Sequence, residues 1–266
     1  MKVQEEAAIL ANRRLHGDYW QVDFAAPRIA RLAQPGQFVH VRIPQLEHCV
    51  LRRPFSIYNV EPVAGTLSVI YKIVGEGTAA LARQPAGVVA DLLGPLGRGF
   101  TIPADPAVLP VIVAGGYGCA ATYLLARRCA AGRPPVCLFG ARTRDDLLLV
   151  AEFQALGCDV RIATDDGSAG RAGFVTLLLA ELLDTPGAGP FSIHACGPNP
   201  MLKAVTGLVL ARGLDAEISL DHAMCCGVGA CFACVVKRKA ANADGWEYSR
   251  TCIDGPVFPA SETVWD

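Results

Sequence analysis

The stretch VLPVIVAGGYGCA, residues 108–120, determines the fold of the second half of the chain. A compact apolar run is followed by a glycine-rich turn and an alanine-rich segment, which predicts a buried strand, a tight turn and a helix. Further apolar runs lie at 136–140, 159–164, 191–196 and 216–220, and helical stretches lie near 120–131, 145–156, 172–183 and 199–212. Because strands and helices alternate, we expect a parallel α/β sheet.

The N-terminal part has a different pattern. Short runs at 38–43, 56–60 and 66–71 alternate apolar and polar residues and are separated by turn sequences, which is typical of a small antiparallel barrel. The segment LGPLGRGF, residues 93–100, is glycine- and proline-rich and reads as a connection between domains. The fold is therefore predicted to be β plus α/β, with a barrel at 1–102, an α/β domain at 103–220 and a small C-terminal subdomain at 221–266.

Composition narrows the function classes. The 266 residues carry 24 Lys and Arg against 25 Asp and Glu, and this near-neutral balance argues against nucleic acid or an acidic membrane surface as a partner. No apolar run approaches the roughly 18 residues of a spanning helix. Glu5 and Glu6 stand where a secretory peptide would be apolar, so we expect a soluble cytoplasmic protein. Five of the 11 cysteines lie in the last 42 residues.

Those cysteines have a diagnostic spacing. Cys226, Cys231 and Cys234 form a C-x4-C-x2-C run in a glycine-rich loop, and Cys252 follows 18 residues later. This is the plant-type spacing of a [2Fe–2S] cluster, in which the fourth thiolate comes from farther along the chain. A structural zinc site is an alternative, although it usually pairs two C-x2-C knuckles. Disulfides are disfavoured without an export signal, and Cys225 is expected to be a bystander.

A flavin signature lies in the barrel half. The sequence RRPFSI, residues 52–57, places arginines beside a proline-fixed turn, which suits a pyrophosphate, and a hydroxyl that can reach a ring nitrogen. The sequence IYKIVGEGT, residues 70–78, ends a strand in a Gly-Thr pair that opens a helical stretch at Ala79, a ready phosphate site. The alternatives are an arginine-rich strand edge and an ordinary helix with Thr78 as its N-cap.

A nicotinamide signature lies in the α/β half. The turn at 115–119, GGYGC, does not match G-x-G-x-x-G and is modest evidence by itself. Asp165 and Asp166 end a predicted strand where a ribose 2′-hydroxyl is read, and the turn at 167–170 holds no basic residue, which favours NADH over NADPH. The alternative is a solvated acidic turn.

Taken together, RRPFSI, YKIVGEGT, GPLGRGF, ATDDGSAGRAGFVT, HACGPNPML, CGVGACFAC and RTCIDGPVF resemble the electron-transfer subunits of bacterial dihydroorotate dehydrogenase B, within the ferredoxin-NADP reductase superfamily. The resemblance runs over about residues 8–266. It implies FAD and [2Fe–2S] as cofactors and NAD as substrate. It implies FAD contacts at Arg53, Pro54, Phe55, Ser56, Ile70, Tyr71, Lys72, Gly77 and Thr78, and cluster ligands at Cys226, Cys231, Cys234 and Cys252. The GGYGC turn and Cys225 depart from the usual family pattern.

The resemblance also implies a function. Electrons are expected to pass between NAD and an FMN-containing catalytic subunit that oxidises dihydroorotate to orotate, through the FAD and the cluster of this chain, in a heterotetramer serving pyrimidine biosynthesis. No catalytic side chain for the dihydroorotate reaction is expected here, because a (β/α)8 barrel needs roughly 250 residues of its own. Two alternatives remain open: a reductase feeding a ferredoxin, sulfur-reducing or oxygenase partner, and a zinc-stabilised, non-enzymatic binding module.

Overall fold

The computed structural model describes residues 1–46, 48–220 and 222–265. Six antiparallel strands form a barrel: β1 (Val3–His16), β2 (Tyr19–Ala25), β3 (Phe38–Arg42), β4 (Arg53–Glu61), β5 (Thr66–Lys72) and β6 (Val89–Leu96). Their order around the closed barrel is β1-β2-β5-β4-β3-β6. Two short helices, α1 (Pro27–Leu32) and α2 (Glu76–Ala82), lie in the connections.

Alternation along β3 gives this strand two different faces. Val39 and Val41 belong to the barrel core, as successive strand residues on one side must. Phe38 and His40 point away from that core, yet they are only 3% and 0% exposed, because the C-terminal segment packs onto them. We call Phe38 and His40 the outer face of β3.

The second unit is a sheet of seven strands with the order β10-β9-β8-β7-β11-β12-β15. The strands are β7 (Leu109–Gly115), β8 (Val136–Ala141), β9 (Asp159–Thr164), β10 (Arg171–Ala172), β11 (Phe191–Cys196), β12 (Ala216–Ser219) and β15 (Val257–Pro259). All pairs are parallel except β12 with β15. The chain runs outward from β7 in both directions, so the carboxyl ends of β7 and β11 flank the switch point where open sheets bind ligands.

Four helices cover this sheet: α3 (Gly118–Ala130), α4 (Val150–Ala155), α5 (Val175–Leu183) and α6 (Asn199–Leu210). Helix α3 also contacts the barrel, where the Arg127 guanidinium donates to Glu61 and Asn59 on β4. The Tyr58 and Tyr123 rings meet at the same junction, with centroids 4.5 Å apart. This contact joins the two units.

The C-terminal segment bridges both units. A hairpin of β13 (Val235–Lys239) and β14 (Trp246–Arg250) follows the cysteine loop, and β15 then joins the sheet edge. Cys234 and Cys252 pack with Phe38 and Leu96 of the barrel. The backbone N–H of Arg98 donates to the carbonyl of Gly255 at 2.5 Å.

The predicted architecture of barrel, parallel α/β sheet and small cysteine-bearing segment is confirmed, with local differences. Helix α2 begins at Glu76 rather than at Ala79, its N-cap is Gly75, and Thr78 is its third residue rather than its N-cap. The helix predicted at 145–156 divides into a 3₁₀ turn at 144–146 and α4, because Leu149 adopts a left-handed conformation with φ 63°. None of the helices in the described ranges has both the length and the apolar character that crossing a bilayer requires.

Candidate functional site

The first part of the site is an arginine held against a glycine. Arg53 opens β4, and a Cβ built on Gly77 would lie 2.8 Å from its Nε, so the guanidinium lies directly against the backbone of α2. Thr78 Oγ1 accepts from the N–H groups of Val74 and Gly75 and donates to the Gly75 carbonyl. Arg53, Gly77 and Thr78, far apart in sequence, thus meet in one place, and their charge and small backbone suit a pyrophosphate.

The neighbouring Arg52 has a different role. Its guanidinium donates to the carbonyl and the carboxylate of Asp91 on β6, at 2.6 and 2.5 Å. This ion pair holds the start of β4 against β6. Only Arg53 of the predicted arginine pair is therefore directed to the candidate flavin site.

The other predicted flavin residues divide between the two faces of the barrel wall. Pro54 and Ser56 lie on the outer side of β4, and the Ser56 side chain is exposed. Phe55 points into the barrel core, as does Tyr71, whose hydroxyl donates to Asn12 at 3.1 Å. Any contact of Phe55 and Tyr71 with a flavin would therefore run through their backbones.

The two remaining predicted residues of β5 face away from the barrel core. Ile70 belongs to the cluster that joins the barrel to the sheet, and the Lys72 ammonium lies 5.4 Å from the centre of the Tyr19 ring. Both Lys72 and Tyr19 line a cleft of about 470 Å³ between the barrel and the sheet. Lys72, the last residue of β5, thus brings the flavin signature to the wall of that cleft.

The sheet side of the cleft comes from the switch point. Its lining residues lie at carboxyl ends of strands, in the turns that follow, or in the first two turns of α5 and α6, and they are Gly115, Gly116, Gly140, Ala141, Arg142, Asp146, Asp165, Phe174, Val175, Thr176, Pro198, Pro200, Met201 and Ala204. A Cβ on Gly115 would lie 2.7 Å from Met201 Sδ and 3.0 Å from Pro198 Cδ, so glycine at the end of β7 allows the close approach of α6. The cleft is where a nicotinamide would lie beside a flavin.

Asp165 and Asp166 have different surroundings. Asp165 lines the cleft. Asp166 accepts from the N–H and hydroxyl of Ser168, and these hydrogen bonds lower its pKa. The prediction of a turn without basic residues misses Arg144, which reaches across from the turn after β8 and donates to the Ser168 carbonyl at 2.6 Å. The local sequence contains no signal for this contact, because the two turns become neighbours only when the strands that precede them pair in the sheet.

Cys119, at the end of the GGYGC turn, is a buried thiol. Its Sγ donates to the Gly116 carbonyl at 3.0 Å, and burial raises the pKa of the thiol to about 12. At neutral pH it is therefore a protonated packing residue beside the cleft.

The four predicted cluster cysteines form two hydrogen-bonded pairs, Cys226 with Cys231 and Cys234 with Cys252, and the charge of Cys226 also acts on Cys252. Burial acts to raise the pKa of Cys226, but hydrogen bonds from its own loop lower it to about 6. The donors are the backbone N–H groups of Val228, Cys231 and Ala230 and the Cys231 thiol. Gly227 and Gly229, with φ of 69° and 85°, allow this curl. The loop thus presents N–H groups to a sulfur anion.

The other two sulfurs lie deeper. Burial, a hydrogen bond with Cys234 and the charges of nearby thiols raise the pKa of Cys252 to about 12. Ionising all four cysteines therefore requires positive charge between them, which a bound metal supplies. Within the described ranges, no three of these sulfurs lie within 4.8 Å of one another. Four thiolates around one zinc lie about 3.8 Å apart, since Zn–S is about 2.3 Å, so the donor set fits a two-iron cluster better than a single zinc.

The outer face of β3 separates the two candidate cofactor sites, and sequence reasoning missed it. Phe38 pairs directly with Ser56, and His40 with Pro54. On their other side Phe38 packs with Cys234 and Cys252, and His40 lies against Gly227. Strand β3 thus contacts both the flavin signature and the C-terminal cysteine segment.

Comparison with known proteins agrees with this geometry. Residues 221–264 match the iron–sulfur cluster binding domain of dihydroorotate dehydrogenase B, and residues 112–207 match the oxidoreductase NAD-binding domain. The electron transfer subunit of dihydroorotate dehydrogenase B (NAD(+)) from Desulforamulus reducens is 37% identical over 98% of both chains. The chain belongs to this family. The corresponding subunit from Shouchella clausii is 39% identical over 99% of both chains.

Two solved structures of ferredoxin-linked reductases are similar to this chain. A structure of an NADH-dependent reduced ferredoxin-NADP oxidoreductase aligns with a TM-score of 0.84 and 29% identity, over 98% of this chain and 90% of that one. The ferredoxin reductase of carbazole 1,9a-dioxygenase aligns with a TM-score of 0.68 and 25% identity, over 80% and 67%. The predicted family is confirmed, and with it an NAD-linked oxidoreductase that transfers electrons through FAD and a [2Fe–2S] cluster to or from a catalytic subunit.

Proposed function

We propose that this electron transfer subunit carries electrons from an FMN-containing dihydroorotate dehydrogenase subunit to NAD, within a heterotetramer. The observation that supports this most strongly is the pairing of Phe38 with Ser56, because it sets the cysteine loop beside the flavin signature. When bound, FAD exchanges a hydride with the nicotinamide and single electrons with an iron–sulfur cluster. A cytoplasmic location stays a prediction.

The residues have distinct proposed roles. Arg53, with the Gly77 and Thr78 backbone, would hold the FAD pyrophosphate, while Pro54, Ser56 and the backbones of Phe55, Ile70, Tyr71 and Lys72 would hold the rest of FAD along β4 and β5. Asp165 would read the NAD ribose at the cleft. Cys226, Cys231, Cys234 and Cys252 would ligate the cluster.

The exposed edge of the cysteine loop supports a partner at this place. Phe232 is 60% exposed and adopts φ 56°, and Val228 is 43% exposed. The Arg250 guanidinium lies 5.1 Å from the centre of the Phe232 ring and donates to the Gly229 carbonyl, which holds the loop in shape. Two apolar side chains beside the exposed Cys231 suit contact with the catalytic subunit, and electron transfer requires such proximity.

The test separates the two halves of the relay. We expect Cys234→Ser to leave NADH-dependent reduction of an artificial dye intact and to abolish dihydroorotate-dependent NAD reduction by the reconstituted complex. The matched control is Cys129→Ser, an equally buried thiol in α3 outside the loop, which should keep both activities. Equal loss of both activities in Cys234→Ser would contradict the relay order.

The partner is tested on the assembled protein. Co-purification with an FMN-containing subunit, at a mass of two copies of each chain by light scattering, is expected. Purification with a ferredoxin or an oxygenase component instead would favour the alternative reductase. Zinc at one per chain without iron or sulfide would favour the binding module and contradict the proposal.

A further inference from the structure

His40 is a buried imidazole without a protein partner. It is 0% exposed, and neither ring nitrogen has a hydrogen-bond partner among the described residues. A buried polar group that stays unpaired destabilises the fold, and leucine would fill similar space without that penalty. The residue type therefore points to a polar or charged group that His40 meets in the loaded protein.

The ring faces the cysteine loop. A Cβ built on Gly227 would lie 2.8 Å from His40 Cε1, 2.9 Å from Nε2 and 3.0 Å from Nδ1. The three distances are nearly equal, so the Cβ position lies over the face of the imidazole, and the ring thus packs against the residue immediately after Cys226. Gly227 is also left-handed, with φ 69°, so two independent constraints require glycine where the loop meets the imidazole.

Two other neighbours of His40 make no hydrogen bond with its ring. Pro54, its partner on β4, has no N–H to donate to a ring nitrogen, and the Phe38 ring lies 5.6 Å away between centroids. Burial and then the positive charge of Arg52 lower the pKa of His40 to about 4. The imidazole is therefore neutral, with one N–H to donate and one bare nitrogen.

We propose that His40 is a positioning residue of the iron–sulfur cluster, donating its imidazole N–H to a sulfur of the cluster that Cys226 ligates. This inference rests on the proposed cluster site. Hydrogen bonds to cluster sulfurs stabilise the more negative reduced state, so His40 raises the reduction potential of the cluster as well as holding the loop against the barrel.

The experiment uses the full chain, reconstituted with iron and sulfide, reduced, and labelled with ¹⁵N only in its five histidines. Pulsed EPR of the reduced wild-type cluster should detect a coupled histidine nitrogen. The coupling should vanish in His40→Leu and persist in His222→Gln, which changes the histidine four residues before Cys226. EPR-monitored titration should give a lower potential for His40→Leu, wild-type potential for His222→Gln and an intermediate one for His40→Gln, which retains a donor.

The wild-type and His222→Gln spectra together decide the inference even if His40→Leu fails to fold. A loaded cluster without any histidine coupling overturns the role of His40 and leaves the proposed function standing. Coupling that persists in a loaded His40→Leu, or an unchanged potential in that variant, also overturns it. A wild-type chain that binds no iron and sulfide overturns the cluster assignment and the His40 inference together.

Discussion

The contact between Gly77 and Arg53 yields a quantitative prediction for FAD affinity. In Gly77→Ala the new Cβ would lie 2.8 Å from Arg53 Nε, so the guanidinium must move away from α2. Gly77 has no positive φ, so the backbone itself tolerates alanine. A hydrogen bond from a charged group contributes roughly 1.5–3 kcal/mol. Losing one between Arg53 and the FAD pyrophosphate should therefore raise the dissociation constant of FAD about 10- to 150-fold.

The assay is quenching of FAD fluorescence on titration with the apoprotein. A double-mutant cycle separates displacement of Arg53 from a direct clash with FAD: Gly77→Ala should have little further effect in an Arg53→Ala background. Gly207→Ala, in α6, is the control, because its Cβ meets nothing within 4 Å. Normal FAD binding by Gly77→Ala, or a full effect of that substitution without Arg53, would refute the reasoning.

Three further outcomes follow from other parts of the structure. Gly207→Ala should raise the free energy of unfolding by up to about 1 kcal/mol, measured in urea, because Gly207 is an exposed helical residue with room for a methyl group. Hydrogen bonding from Arg127 lowers the pKa of Glu61, so this contact stabilises the fold above the ordinary glutamate pKa and is lost as pH falls through the folded value. Glu61→Gln should therefore lose that part of the acid dependence, by less than about 1 kcal/mol because the pair is half-exposed, and an unchanged acid profile would argue against the contact. Asp165→Ala should raise the KM for NADH and reduce discrimination against NADPH in the dye assay; unchanged constants would remove Asp165 from the ribose site.

Sequence reasoning identified the elements well because local patterns specify them. The apolar runs of the α/β half and the alternating strands of the barrel carry their own periodicity, and the cysteine spacing carries its own chemistry. Helix boundaries were less predictable. Its residue type makes Thr78 a candidate N-cap. In the structure Thr78 is the third helical residue, and its hydroxyl accepts hydrogen bonds from the N–H groups of Val74 and Gly75.

Contacts between distant segments were not predictable in the same way. Arg52 and Arg53 are adjacent and identical in type, yet the Arg52 guanidinium donates to Asp91, whereas the Arg53 guanidinium lies against Gly77. Arg144 reaches the acidic turn because β8 and β9 are neighbours in the sheet. His40 appeared as a polar residue of an alternating strand, and only packing of the C-terminal segment shows that its polar side is covered.

The placement of the two cofactor sites follows from the pairing register of the barrel. Since side chains alternate along a strand, the register that puts Val39 and Val41 in the core also turns Phe38 and His40 outward. A shift of β3 by one residue would expose the valines and remove both contacts to the C-terminal segment. The stability of the barrel core thus also maintains the pairing of Phe38 with Ser56, without a flexible linker between flavin and cluster sites. Selection for a folded barrel and selection for electron transfer therefore act on the same register.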